Sequence, residues 1–185
     1  MSFYNLILSL GREHKKVAIK INEICKFKSN EKIIDIGAGS GLLAEYLPLE
    51  KNNITLLEPS KKMLEKTNKG YPKLNIKIQE INKINEKYDF VVCFDSLHHF
   101  SNGYENKKEQ IILGINNMVS IADKKIVIVE PNPKKLKTKW IIFIENFIFR
   151  IGSYFPKEEE YEELMEGKIF KLEKWKHYNI IIVEK

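Results

Sequence analysis

With 185 residues, 43% of them hydrophobic and 30% charged, the chain fits one globular domain with a substantial core and leaves little room for a second. Its net charge of +6 comes from lysines spread along the whole length. A lysine-rich surface accounts for this better than a nucleic-acid footprint, which needs clustered charge.

Residues 1–28 read as a helical segment. Phe3, Leu6, Ile7 and Leu10 recur at helical spacing, Val17, Ile21 and Ile24 do so again, and Gly11 is expected to divide the segment in two. Asn5, Arg12 and Glu13 interrupt its apolar start and no small-residue cleavage site follows, so a signal peptide is not expected. Cys25 and Cys93 stand alone in apolar settings, which predicts reduced, buried thiols in a cytoplasmic protein. His14, His98, His99 and His177 offer no ligand spacing, and no structural metal is expected.

The stretch Lys32-Ile-Ile-Asp-Ile-Gly-Ala-Gly-Ser-Gly-Leu42 joins a buried strand to a glycine-rich turn. Gly37, Gly39 and Gly41 allow positive φ and close approach of a ligand to the backbone. Ser40 is placed to cap a helix carrying Leu42, Leu43, Tyr46 and Leu47 before Pro48, which would complete a ligand cradle. The next strand, Ile54 to Leu57, ends at Glu58, twenty-one residues beyond Gly37. A βαβ unit places a ribose-binding carboxylate at about that spacing, roughly 20 residues.

Ser60 and Gly70 then bracket a predicted helix with Met63 and Leu64 facing inward. Asn75 to Gln79 alternates as a strand, and Tyr88 to Phe94 is an apolar central strand leading into Asp95-Ser-Leu-His-His-Phe100. From Glu105 a helix buries Ile111, Ile112, Ile115, Met118 and Val119, and Ile126 to Val129 is a further strand ending at Glu130-Pro131. Repeated strand, helix and strand make the fold α/β and doubly wound, because parallel pairs need helical crossovers. In such a sheet, the loop after Phe94 borders the same crevice as the glycine turn.

The G-x-G-x-G turn, Glu58, Tyr88 to Phe100 and Ile126 to Pro131 together resemble the class I S-adenosylmethionine-dependent methyltransferases of small molecules, over residues 31–131. The resemblance implies a mostly parallel seven-stranded sheet with helices on both faces. Lys168 to Leu172 and His177 to Glu184 would form its closing antiparallel hairpin, within residues 168–185. It implies S-adenosylmethionine as cofactor, with S-adenosylhomocysteine as product. The implied cofactor-binding residues are Asp35, Gly37, Ala38, Gly39, Gly41, Glu58, Pro59, Met63, Glu80 and Phe94. Asp35 would hold the amino group or order the loop, Glu58 would take the ribose hydroxyls and Glu80, or else Asn82, the adenine amine. Met63 is equally a core residue, Glu80 equally a solvated charge, and Tyr4, Arg12 and His14 are within possible reach of the pocket.

Asp95, Ser96, His98 and His99 would lie beside the transferred methyl. His99, then His98 and Asp95, are the candidate catalytic residues, with imidazoles of near-neutral pKa as candidate bases. The competing reading has one histidine packed under the sheet edge and the other bonded to a loop. Phe94-Asp-Ser-Leu97 lacks the prolines typical of methyltransferases acting on base amines or protein glutamine.

By the resemblance, residues 134–167 would form an acceptor-side helical insert; Tyr161, Leu164 and Met165 recur at helical spacing in its last helix. Trp140, Ile144, Phe147, Ile148, Ile151 and Phe155 share a predicted helix face, with Ile142 and Phe149 outside it. Glu145, Asn146 and Arg150 interrupt this stretch, which is shorter than the ~20 residues that span a bilayer. Core packing, a homodimer contact through 140–155, or a lid touching a membrane with Lys134, Lys135, Lys137 and Lys139 on head groups all remain open. The expected activity is methyl transfer to a small, apolar or lipid-like acceptor. An RNA methyltransferase, an inactive cofactor-binding partner subunit and, disfavoured by the glycine spacing, a nicotinamide-dependent oxidoreductase are the alternatives.

Overall fold

The strand β1, Ile33–Ile36, is buried at every position and pairs in parallel with β2, Ile54–Leu57, on one side and β4, Tyr88–Phe94, on the other. The structure, a computed structural model, describes residues 3–143, 146–147 and 152–185, without the side chains of residues 3–12, Lys137 and Ile141. The apolar positions Phe3, Leu6, Ile7 and Leu10, the reach of Tyr4 and Arg12, and the face positions Ile144, Ile148, Phe149 and Ile151 thus lie outside the described residues.

With β3 at Lys73–Leu74, β5 at Ala122–Pro131, β6 at Phe170–Trp175 and β7 at Tyr178–Glu184, the seven strands stand in the order β3-β2-β1-β4-β5-β7-β6. β7 runs antiparallel to β5 and β6. The sheet is doubly wound, with its closing hairpin where the C-terminal strands predicted it. Alternation along β5 shows why both faces need cover: Ile126 and Ile128 join one apolar cluster, Val127 and Val129 the other. Helix α1, Phe3–Cys25, covers the second cluster with Val17, Ala18 and Ile21. Helix α3, Lys107–Ile121, covers the first with Ile111, Ile115 and Met118, beside the short helix α5, Tyr161–Leu164. Tyr161, Leu164 and Met165 are buried as their spacing predicted.

Several local expectations are corrected. Helix α1 runs through Gly11 without a break. No helix follows the glycine turn: Ser40 caps nothing, and the chain makes only a 3-10 turn at Ala44–Tyr46. Between Gly41, with φ of +75°, and Pro48, too few residues remain to offset helix nucleation. Ser60 does cap α2, accepting from Met63 N, but α2 spans only Lys61–Leu64. Met63 is 36% exposed rather than facing inward. The strand expected over 75–79 is absent, because the Asn75 amide donates to the carbonyls of Glu58 and Pro59. There the chain winds instead into a 3-10 segment, Ile78–Lys83, burying Ile78 and Ile81 three residues apart. Among the described residues, no helix is long and apolar enough to cross a membrane.

Phe100, at the end of the loop after β4, is seated on Gly114 of α3, where an added Cβ would lie 2.3 Å from its ring. Alanine normally stabilises a helix relative to glycine by up to about 1 kcal/mol. Here overpacking, about 1–3 kcal/mol, wins and reverses the sign. Gly114→Ala is expected to lower stability in urea denaturation; an unchanged or raised midpoint would show that Phe100 has room to move.

Candidate functional site

The strand order reverses between β1 and β4, so a crevice opens at their carboxyl ends. The turn after β1 begins with Gly37 N and Ala38 N donating to Leu57 O at 2.8 and 3.0 Å. Gly37 holds φ of +72°, and a Cβ there would lie 1.8 Å from Ser96 Oγ. No side chain fits where this turn meets the loop from β4. Gly39 N donates to Glu58 Oε2 at 2.9 Å and Ser60 N donates to Glu58 Oε1 at 2.8 Å. Glu58 thus ties the glycine turn to the start of α2. Gly41 serves packing, since a Cβ there would meet Leu56 and Thr67 at 3.0 and 3.1 Å.

Asp35 lies beneath this turn, 2% exposed, with Oδ2 lacking a hydrogen-bond partner among the described residues. Burial, and secondarily the charge of Glu58, pushes its carboxyl up to about 7. One cavity of about 520 Å³ is lined by Glu58, Pro59, Ile78, Ser96, His99 and Asn102 among others. A second of about 230 Å³ has Asp35, Ala38, Leu43, Phe94 and His14 in its wall. Gly37, Gly39, Met63 and Asp95 line both, so the two form one crevice.

The far wall is the loop after β4. Asp95 takes φ of +52° with its N–H on Val129 O at 2.9 Å. Behind it, at the end of β5, Glu130 is fully buried. Its Oε1 accepts from Ser96 N at 2.9 Å and Leu97 N at 2.7 Å, while Oε2 accepts from His98 Nδ1 at 2.6 Å. His98 is 1% exposed and its ring stacks on Phe155 at 4.2 Å. His99 does face the crevice. Its Nδ1 lies 3.0 Å from both Asn102 Nδ2 and Ser153 Oγ. With the amide donating, the ring proton sits on Nε2. Burial, then the neighbouring His98, lowers the His99 pKa to about 4, so the ring is neutral at pH 7.

Residues 34–121 match the family described as a methyltransferase domain. A ubiquinone biosynthesis O-methyltransferase of Rickettsia canadensis is 30% identical over 95 residues, 48% of this chain and 38% of that protein. A SAM-dependent methyltransferase of Archaeoglobus fulgidus superposes with a TM-score of 0.71 at 15% identity, covering 100% of both chains. Magnesium protoporphyrin IX methyltransferase of Synechocystis, crystallised with bound SAH, does so with a TM-score of 0.64 at 17% identity, over 100% of this chain and 87% of that one. Just under half of the chain thus matches a methyltransferase-domain model, and the whole chain shares the fold of these methyltransferases. It spans about half, or less, of the length of the curated relatives it matches.

Within this domain the structure brings Asp35, Gly37, Ala38, Gly39, Glu58, Pro59, Met63, Phe94, Asp95 and His99 to the crevice. Gly41 and His98 sit behind its walls. Glu80 is spent elsewhere: its carboxylate caps Lys77 N at 3.3 Å and pairs with Lys83 at 2.6 Å, while Ile78 fills the wall nearby. The near-neutral pKa expected for His99 is replaced by a depressed one, which makes the ring a weak base. Glu130, Asn102 and Ser153 were missed. Only Glu130 left a signal, a carboxylate closing an apolar strand.

Two outcomes follow from the buried carboxylates. The Asp35 carboxyl is raised, so its stabilising contribution is complete below the unfolded value near pH 4 and is lost as pH rises through about 7. The full loss is roughly 4 kcal/mol for a shift of about three units. Ligand-free Asp35→Asn should therefore melt near the wild type at pH 4 and above it at pH 8; coincident melting curves at pH 8 would contradict the burial argument. Glu130→Ala strips three donors and is expected to cost about 3–5 kcal/mol in chemical denaturation. Glu130→Gln, which retains an acceptor for both backbone N–H groups, should cost less, and equal losses would refute that division.

Proposed function

We propose that the chain is an S-adenosylmethionine-dependent methyltransferase acting on a small, apolar or lipid-like acceptor. The observation that carries this reading is the charge of the crevice. Asp35, Glu58 and Asp95 line it, and among the described residues in the walls of its two cavities there is no lysine or arginine. A pyrophosphate-bearing dinucleotide would face this acidic lining without the helix N-terminus that normally receives it. A cationic ligand meets the opposite situation, since its charge favours ionised Asp35 and offsets the burial of that carboxylate.

S-Adenosylmethionine fits these residues. The unpartnered Asp35 Oδ2 suits an α-amino group, the bare backbone of Gly37 and Gly39 allows close approach, and Glu58 presents lone pairs beside the turn for ribose hydroxyls. Met63 and Ile78 supply apolar walls for a base. When bound, this cofactor supplies a methyl group on a positive sulfonium for in-line displacement. The chain's own part is to align the acceptor and exclude water. His99 contributes a neutral ring with its proton on Nε2, suited to donating a hydrogen bond to an acceptor oxygen. Asp95 is the crevice carboxylate nearest that wall in sequence. The Rickettsia protein is named for ubiquinone biosynthesis and the Synechocystis protein for magnesium protoporphyrin IX, and both names support the apolar class.

Thermal melting with S-adenosylmethionine, S-adenosylhomocysteine or NAD at saturation tests the cofactor. A ligand at 100 times its dissociation constant adds about 2.7 kcal/mol, or about 5–11 °C for a chain of this size. The expected result is a shift with both sulfur ligands, none with NAD, and loss of the shift in Asp35→Ala and Glu58→Ala. A shift with NAD alone would end the assignment.

A further inference from the structure

Helix α4, Leu136–Phe143, begins five residues past the end of β5, at the same edge of the sheet as the crevice. Thr138 is fully buried and Ile142 is half-buried. The other side presents Leu136, Trp140 and Phe143 at 73%, 62% and 45% exposure, continued by Phe147 at 72%. Their spacing of four, three and four residues is that of one helical stripe, which shares Trp140 and Phe147 with the stripe expected from sequence. Phe155, assigned to that expected stripe, is instead buried on His98. The exposed rings are ordered against each other, Trp140 edge-on to Phe143 at 6.2 Å and Phe143 stacked on Phe147 at 5.0 Å. A cavity of about 350 Å³ lies among Leu136, Lys139, Trp140 and Phe143.

The charge around this stripe decides its occupant. Between Asn132 and Phe147 the sequence holds Lys134, Lys135, Lys137 and Lys139 against one acidic residue, Glu145. Lys135 and Lys139 are exposed beside the apolar residues, while Lys134 pairs with Glu159 at 3.2 Å. A second copy docking on the same patch would, by two-fold symmetry, bring these lysines against one another. An anionic surface meets them with opposite charge, and tryptophan, phenylalanine and lysine in this arrangement suit the boundary between head groups and acyl chains.

We infer that the Leu136, Trp140, Phe143 and Phe147 stripe docks on a bilayer containing anionic lipid, with Lys135 and Lys139 on its head groups. The helix lies in the interface plane and does not cross. This places the crevice edge toward the membrane, from which an apolar acceptor could be drawn. The docking surface is independent of the cofactor reading, because binding is measured with neither cofactor nor acceptor present.

The test is co-sedimentation of the full chain with vesicles of phosphatidylcholine alone and of phosphatidylcholine mixed with phosphatidylglycerol, at low and high salt. The expected result is binding to the mixed vesicles, weakened by salt, and lowered about tenfold or more in Trp140→Ser/Phe143→Ser. Lys135→Gln and Lys139→Gln should each lower it by about fivefold. All these side chains are exposed, and melting curves matching the wild type confirm that the variants fold. In a Trp175→Phe background, Trp140 emission should shift to the blue on the mixed vesicles. No binding by the wild type, undiminished binding by the double variant, or a dimer in solution that the double variant abolishes without any vesicle binding would each overturn the proposal.

Discussion

The crevice depends on one buried carboxylate. Glu130 closes β5 and gathers Ser96 N, Leu97 N and His98 Nδ1 onto its two oxygens. Charge-assisted bonds of this kind are about twice as strong as neutral ones. Leaving any of these donors unpaired so deep in the core would cost more than the bond itself contributes. The loop after β4 therefore has one low-energy path, turning at Asp95 with positive φ and presenting Ser96 and His99 to the crevice. Strain at Asp95 persists because Glu130 and the Val129 carbonyl over-determine its neighbours.

That constraint propagates to the opposite wall. Ser96, held by Glu130, projects into the space a side chain at Gly37 would need. The absence of a Cβ at Gly37 is thus required by the protein's own packing as well as by any ligand. The turn it begins is fixed at its other end by Glu58, whose oxygens take Gly39 N and Ser60 N. Two carboxylates from two different strands therefore set the shape of the crevice, and both do so through backbone donors. A substitution at either would be felt across the crevice as geometry before it was felt as chemistry.

The central strands were legible in the sequence because buried parallel strands are largely apolar runs rich in β-branched and aromatic residues, and Ile33 to Ile36 and Tyr88 to Phe94 offer no competing pattern. The errors came where short-range alternation competed with tertiary demands. Ile76 and Ile78 alternate like a strand, yet Asn75 ties the chain back to Glu58 and Pro59, and Ile78 and Ile81 are the pair that is buried. The histidines follow the competing reading of the sequence: one turns into the core onto Glu130 and the other is held by Asn102 and Ser153. The partners themselves are not read from the local sequence: Glu130 and Ser153 lie 32 and 54 positions from the histidines they bond, and only Asn102, three residues from His99, is close by.

Charge is partitioned as sharply as the apolar surface. The chain carries a net charge of +6, yet the described residues lining its two crevice cavities bring carboxylates and no lysine or arginine. A nucleic-acid acceptor would need a basic track leading to the reacting atom, since phosphate contacts supply most of the affinity. Among the described residues lining the crevice, none supplies such a track. Four of the lysines, Lys134, Lys135, Lys137 and Lys139, fall at the start of α4 and just before it, beside its exposed rings. An acidic crevice next to a basic, apolar rim separates two kinds of ligand. A cation suits the interior, and an anionic or apolar surface suits the rim.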